Sequence, residues 1–427
     1  MRLLVVATKA PWPPIDGGRL LLAHTLAGLA AAGLRPTLVA PVDAARFDLA
    51  AVAAALDRWC EPRLVAARLP GRLGTLLRAL PRRRGLPLTV ARHSSPAVRA
   101  EVERLLATRP FDLVHAEQLQ ALPQAEPARA RRLPVVLRAQ NVESDLWAGA
   151  ARGRLAAREA RLLAAWEGEA VASAAATLAL TRQDAERLGA LAEAFLQRAA
   201  GALPPWRAGS ALPPFQPGRV RVVSAPFPEQ LDPGEPVLSG SPPVVVLASL
   251  GWPPNQDAAA WFTGEVWPVV RAALPGAELH LFGIQPRTQA GIRAGEGRRV
   301  AGGAGITRHE LAEDSAPAFA RGSIHAVPLR LGSGLRMKIL EAWARGVPVL
   351  ATPQAAAGLE AADGQEVLLA RDAAGFAAAL ARLHHEPALA ATLIAGGRAA
   401  LRRDHDPSCI ARQLVAIYDE ISNRRTA

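Results

Sequence analysis

The stretch RLGSGLRMKILEAWARGVPVL, Arg330 to Leu350, gathers residue types that bind phosphorylated ligands. Gly332 and Gly334 flank Ser333 in a short loop, Arg336 and Lys338 follow, and Glu341 stands one turn further on. Glycines let backbone N–H groups approach a ligand closely, and a helix N-terminus favours an anion. Arg336 and Lys338 would neutralise a diphosphate. Glu341 would accept hydrogen bonds from paired sugar hydroxyls, because the two oxygens of a carboxylate can take two donors. Lysine is scarce here: of 50 Lys+Arg, only Lys9 and Lys338 are lysine. A compact ammonium suits a diphosphate where a broader guanidinium fits less well. The same spacing also fits a plain surface ion pair. Lys338, Glu341 and Arg345 share one helix face, and such a pair contributes only ~0.3–0.5 kcal/mol.

A second glycine pair, Gly17 and Gly18, ends the first loop and opens a helical pattern. It fits a turn or a phosphate approach. It is not GxGxxG, and Asp43 is only a loose match for the acidic residue that would hold the ribose of NAD, so a dehydrogenase is not expected. His24 in the following helix fits a packed core histidine.

These residues need a frame. RLLVVAT reads as a buried parallel strand, and the helical RLLLAHTLAGLAAAG and the strand RPTLVAPV follow it. Strands recur at 111–117, 133–140, 176–181 and 219–225. The Pro-, Gly- and Ser-rich stretch 226–243 reads as a linker. The grammar then restarts with a strand at 244–250 and a helix at 255–274, with Asn255 placed to cap it and Pro268 to kink it. AELHLFG, IHAVPLR, VPVLAT and EVLLARD are further strands. The expected fold is α/β, with two Rossmann-like doubly wound parallel-sheet domains facing across a cleft, at 1–225 and 244–400. A helical segment, 401–427, closes the chain. Ligands in such sheets bind at the carboxyl ends of the strands.

The formal charge of +12 favours polyanions: nucleic acid, anionic membrane or phosphorylated ligands. Nucleic acid is not expected, because aromatics are 4% and no recognition module appears. Cys60 and Cys409 have no metal or redox spacing, and no acidic pair marks a metal site. The N-terminal apolar run is too short for a signal peptide, and no window supplies the ~20 apolar residues of a membrane span. A cytoplasmic protein is expected, with a peripheral place at the inner face of the membrane as the other option. Segment 68–92 carries seven arginines among Leu and Gly. It fits a solvated helix with a basic loop, or a membrane-surface or acceptor-binding segment.

Four segments resemble the retaining glycosyltransferases of the GT-B fold, family 4 type (group 1), and most closely the bacterial enzymes of exopolysaccharide and surface-glycan synthesis. They are PWPPIDGGRLLLAHTLAGLAAAG, VVLRAQNVESDLW, LASLGWPPNQDAAAWF and VPLRLGSGLRMKILEAWARGVPVLAT. The resemblance implies a nucleoside-diphosphate sugar held by the second domain and a glycan or lipid-linked acceptor held by the first. It also implies that the final helix crosses back to the N-terminal domain. Glu341 would then bind the donor ribose, with Arg336 and Lys338 near the diphosphate. Gly17 and Gly18 would approach from the opposite wall, and the loop GGAGIT, with Gly302 and Gly305, would cradle the nucleobase. Ser333 stands where many relatives carry a glutamate that contacts the transferred sugar.

His115 and Glu117, at the end of FDLVHAE, and Asn141 and Glu143, in QNVES, are acceptor-side candidates that fit turn or cap roles equally. The resemblance further implies transfer with retention, no metal, no cofactor, and closure of the domains around the donor. A non-catalytic nucleotide-sugar-binding protein and a GT-B-like sugar epimerase are the alternatives.

Overall fold

The computed structural model describes residues 1–79, 86–150, 153–201, 217–235, 237–248, 252–283, 303–309, 315–332 and 334–424. Two compact units divide the chain. One comprises Met1–Pro13, Gly18–Pro226 and Pro407–Ala427, the other Pro14–Gly17 and Phe227–Asp406.

The first unit carries strands β1 (Leu3–Ala7), β2 (Thr37–Val42), β3 (Glu61–Ala66), β4 (Leu113–Glu117), β5 (Val135–Ala139), β6 (Ala176–Ala179) and β7 (Val220–Val222). They form one parallel sheet in the order β3-β2-β1-β4-β5-β6-β7. The central strands are buried along their whole length because helices cover both faces: LLVVA is wholly apolar, and VVLRA is apolar but for Arg138. The closing helix Pro407–Asn423 belongs to this unit. Its Ile410, Leu414, Ile417, Tyr418 and Ile421 join the core that contains Leu3, Val5 and Leu113.

The second unit carries β8 (Pro243–Leu247), β9 (Glu278–Phe282), β10 (Ile306–His309), β11 (Ile324–Val327), β12 (Val349–Ala351) and β13 (Leu368–Leu369), ordered β10-β9-β8-β11-β12-β13. In both sheets the chain starts near the centre, builds to one edge, then returns to build the other. The order therefore reverses between β1 and β4, and again between β8 and β11. A crevice opens at the carboxyl ends of the strands at such a reversal, and ligands bind there.

Several details differ from expectation. Strands β3 and β10 lack a long apolar run, and both are sheet edges, where only one neighbour and partial cover constrain the sequence. The stretch GGAGIT is thus only in part a loop, since Ile306 and Thr307 belong to β10. Asn255 does not cap its helix. The helix starts at Pro253 with Trp252 in the cap position, so Asn255 lies buried in its first turn. The run to Ala273 widens into a π-turn at Phe262–Val266, just before Pro268, which has no N–H to continue the ladder. The stretch after Pro226 is tied along the second unit: Phe227 N donates to His405 O at 2.8 Å and Leu231 N to Ala344 O at 2.9 Å. Among the described residues, no helix is long and apolar enough to cross a membrane.

Candidate functional site

In the second unit the site is built on the connection from β11 to the helix Met337–Ala344. Gly332 and Gly334 both adopt positive φ, 105° and 86°, a backbone that few other residues tolerate. The loop is anchored on both sides. Arg330 forms a bidentate pair with Asp257 at 3.0 and 2.7 Å, the Thr352 hydroxyl donates to Leu329 O, and Gln354 Nε2 donates to Gly332 O at 2.7 Å. Ser333 and Gly302 lie outside the described residues. Gly305 sits in the turn entering β10, with φ 71°.

The helix that follows begins at Met337 with Arg336 in the cap position, and the Arg336 side chain makes no capping hydrogen bond. Ile339, Leu340, Ala342 and Trp343 are buried, so the helix is fixed by its apolar face. Trp343 packs over Gly397, where an added Cβ would stand 2.3 Å from its ring. Gly346, at φ 69°, ends the helix. The polar residues are therefore held rigidly. Arg336 is buried, with its guanidinium 5.9 Å from the centre of the Trp252 ring.

Lys338 reaches to the carboxyl end of β8. Its Nζ donates to Leu247 O at 2.5 Å and lies 3.4 Å from Asn255 Oδ1. Burial, together with the charge of Arg336, lowers its pKa to about 7. His325 on β11 is fully buried, with neither ring nitrogen hydrogen-bonded, and burial plus the Lys338 charge hold it near 3. Glu341 accepts from Ser315 Oγ at 2.6 Å and from Arg345 Nε at 3.1 Å. The Glu341–Arg345 ion pair of the helical wheel thus forms, but it is buried rather than on the surface, and Lys338 turns instead to the sheet.

Gly17 and Gly18 begin the helix Gly17–Ala31, which belongs to the first unit from Gly18 onward. A Cβ on Gly18 would stand 2.8 Å from Gln140 Oε1 and 3.3 Å from both Gln118 Nε2 and Lys9 Nζ. Those side chains continue a polar chain across the strand ends: Thr8 Oγ1 donates to Gln118 Oε1 at 2.6 Å, Gln118 Nε2 to Gln140 Oε1 at 2.7 Å, and Gln140 Nε2 to Glu117 Oε1 at 2.7 Å. Thr8, Gln118 and Gln140 did not stand out in the sequence, and Lys9 did so only as one of its two lysines. Gln118, directly after β4, has a positive φ of 75°.

His115 and Glu117 prove to be the buried foundation of this chain rather than groups that face an acceptor. Arg138 Nε donates to both Glu117 oxygens at 3.0 and 2.9 Å, and its Nη1 donates to Thr25 Oγ1 at 2.7 Å. Both His115 nitrogens are engaged, with Glu117 Oε2 at 3.1 Å and the Tyr418 hydroxyl at 2.8 Å. Burial alone would raise the Glu117 carboxyl, but Arg138 and His115 outweigh it and hold it near 2. Burial lowers His24 to about 4, which leaves a neutral packed imidazole.

Glu143 opens the helix Glu143–Ala150. Burial raises its carboxyl against hydrogen bonds with Gln120 and Asn141 and the charge of Lys9. The start of this helix is clamped by Glu167, which accepts from Glu143 N at 2.8 Å, Ser144 N at 3.1 Å and Ser144 Oγ at 2.6 Å. Among the described residues, no group of three His, Cys, Asp or Glu is placed to hold a metal ion.

Two doubly wound parallel sheets in one chain, each with polar groups at its reversal point, define the GT-B fold. Solved structures share it. The chain superposes on Anabaena Alr3699/HepE in complex with UDP-glucose with a TM-score of 0.63, at 15% identity, covering 98% of this chain and 100% of that one. It superposes on the sucrose-phosphate synthase of Thermosynechococcus elongatus, also with a TM-score of 0.63, at 17% identity, covering 99% of each chain. Residues 241–386 match the family model described as "Glycosyl transferases group 1", so this stretch carries a glycosyltransferase group 1 domain. No curated protein matches the chain in sequence.

Proposed function

We propose that the protein is a retaining glycosyltransferase of family 4 type. In this reading it moves a sugar, a hexose or a relative, from a nucleoside-diphosphate sugar to a glycan or lipid-linked acceptor in bacterial surface-polysaccharide synthesis. It would work in the cytoplasm, at the inner face of the membrane. The observation that carries the proposal is the rigid set of Arg336, Lys338 and Glu341 behind a glycine loop, inside the matched stretch 241–386.

Transfer leaves negative charge on the departing diphosphate. Arg336, Lys338 and the start of their helix supply fixed positive charge for it, so the reaction proceeds without a metal. One such preorganised donor contributes ~3–4 kcal/mol in the transition state. Glu341 exchanges its Ser315 contact for the ribose diol. The loop with Gly332, Ser333 and Gly334 borders the diphosphate and the transferred sugar, and Gly302 and Gly305 border the nucleobase. Gly17 and Gly18 approach the phosphates, while in the first unit Asn141 and Glu143 orient the acceptor above the base formed by His115 and Glu117. The departing phosphate takes the acceptor proton, so no protein nucleophile is required.

UDP-sugars head the donor panel, because the similar Anabaena structure holds UDP-glucose. A thermal-shift screen of nucleoside diphosphates and their sugars tests the proposal. A matched donor at about 100 times its Kd stabilises by about 2.7 kcal/mol, which raises the melting temperature by about 3 °C if the chain melts as one unit and by more if the second unit melts alone. EDTA leaves transfer unchanged. A screen in which no sugar nucleotide shifts the melt overturns the reading. A bound donor with free sugar as the only product redirects it to an epimerase, and a bound donor that is never consumed redirects it to a binding protein.

A further inference from the structure

We propose that the helix Arg72–Ala79 of the first unit docks the protein on an anionic lipid bilayer. Its side chains are arranged opposite to those of an ordinary surface helix. Leu73, Leu76 and Leu77 fall at i, i+3 and i+4 and so share one face, and they are 71%, 53% and 61% exposed. Leu69, just before the helix, is 53% exposed. These make four of the ten large apolar side chains that are exposed among the described residues, and they lie within nine positions. The other face is occupied: Gly74, Thr75 and Arg78 are half-buried, the helix packs on the helix Leu88–His93, and the Arg78 guanidinium donates to Ser94 O. The leucines are therefore held outward by a seated helix.

Charge identifies the occupant. Residues 62–100 contain nine arginines and neither Asp nor Glu. Arg92, on the neighbouring helix, and Arg68, which also pairs with Asp43 at 3.3 Å, are exposed. A leucine face flanked by the exposed Arg68 and Arg92, in a stretch of sequence that holds no acid of its own, matches the two-part attraction of an anionic membrane: apolar burial at the acyl boundary plus cation–headgroup attraction. A soluble protein partner would need its own apolar patch ringed by acid. A second copy of this chain brings the same positive surround and is repelled.

This deepens the membrane contact within the proposed function, and vesicle binding is scored without donor or acceptor. Its failure therefore leaves the transfer reading standing, and failure of transfer leaves vesicle binding to be judged on its own. The full chain is sedimented with vesicles of phosphatidylglycerol and phosphatidylcholine, and with phosphatidylcholine alone. The wild type is expected to bind the anionic vesicles, with binding that weakens as salt rises. Leu73→Ser/Leu76→Ser/Leu77→Ser is expected to lose at least about tenfold in partitioning, with an unchanged circular dichroism spectrum, because each removed side chain takes apolar burial with it. Arg68→Glu/Arg92→Glu, which leaves the leucines in place, is expected to lose the preference for anionic lipid. The proposal is overturned if the wild type ignores anionic vesicles or if the triple variant binds as the wild type does. A lipid-free dimer that the triple variant abolishes would assign this face to a second copy and equally overturn it.

Discussion

Lys338 is expected to couple donor binding to pH. Lys338 is half-buried, its partners Leu247 O and Asn255 Oδ1 carry no net charge, and desolvation with the charge of Arg336 lowers its pKa to about 7. At pH 8 about nine-tenths of the ligand-free protein therefore holds a neutral Lys338. A diphosphate beside it favours the charged form, so binding takes up a proton. With the ammonium required in the complex, the apparent Kd rises roughly as 1 + 10^(pH − 7), about 30-fold between pH 6 and pH 8.5.

Isothermal titration calorimetry with the sugar nucleotide, in buffers of different ionisation enthalpy, counts the protons. Its diphosphate is doubly esterified and does not titrate in this range. About 0.9 proton per donor is expected at pH 8 for the wild type, and none for Lys338→Met. His309 and His325 are held below the ordinary histidine range and add little there. Uptake below about 0.2 proton in the wild type, or equal uptake in Lys338→Met, would refute the reasoning. The same shift has a stability consequence. The folded pKa lies below the ordinary lysine value, so the unfolded chain holds more protons between about 7 and 10.5. The penalty of burying the ammonium is thus complete below pH 7 and relieved as pH rises. Lys338→Met should raise the melting temperature more at pH 6 than at pH 9.

Arg138→Met leaves Glu117 charged and buried, and should cost about 3–5 kcal/mol in chemical denaturation. With Arg138 in place, the Glu117 pair stabilises above the ordinary carboxylate pKa of 4.5, and this is lost as pH falls toward about 2; a pH series of melts reads the loss. Gly397→Ala forces a Cβ to 2.3 Å from the Trp343 ring, and should cost about 1–3 kcal/mol and disorder the Glu341 helix, read by tryptophan fluorescence. Gly18→Val crowds Gln140 and Lys9 and should cut turnover at least about tenfold, with a melting temperature near that of wild type.

The central strands were legible because burial on both faces leaves them largely apolar, even where β4 and β5 carry the buried His115, Glu117 and Arg138. The edge strands β3 and β10 were not, since EPRLVA and ITRH carry charge that a half-covered edge accepts. The glycine loop and the Glu341 helix were legible from spacing. The direction of Lys338 was not, because a helical wheel gives a face and not the sheet end the side chain reaches. In the first unit the sequence marked His115 and Glu117 but could not show that Tyr418, 303 positions away, and Arg138 seal them. Lys9 carried a signal in its rarity. Its neighbours Gln118 and Gln140 come from separate strand ends that only the sheet order brings together.

The most direct measurement is turnover with the matched donor in Lys338→Ala and Glu341→Ala, alongside a melt that shows each variant folded. A loss of at least about 100-fold in each is predicted, because each removes a group fixed against the reacting diphosphate or its ribose. Near-wild-type turnover in both would contradict the donor site assigned to this helix.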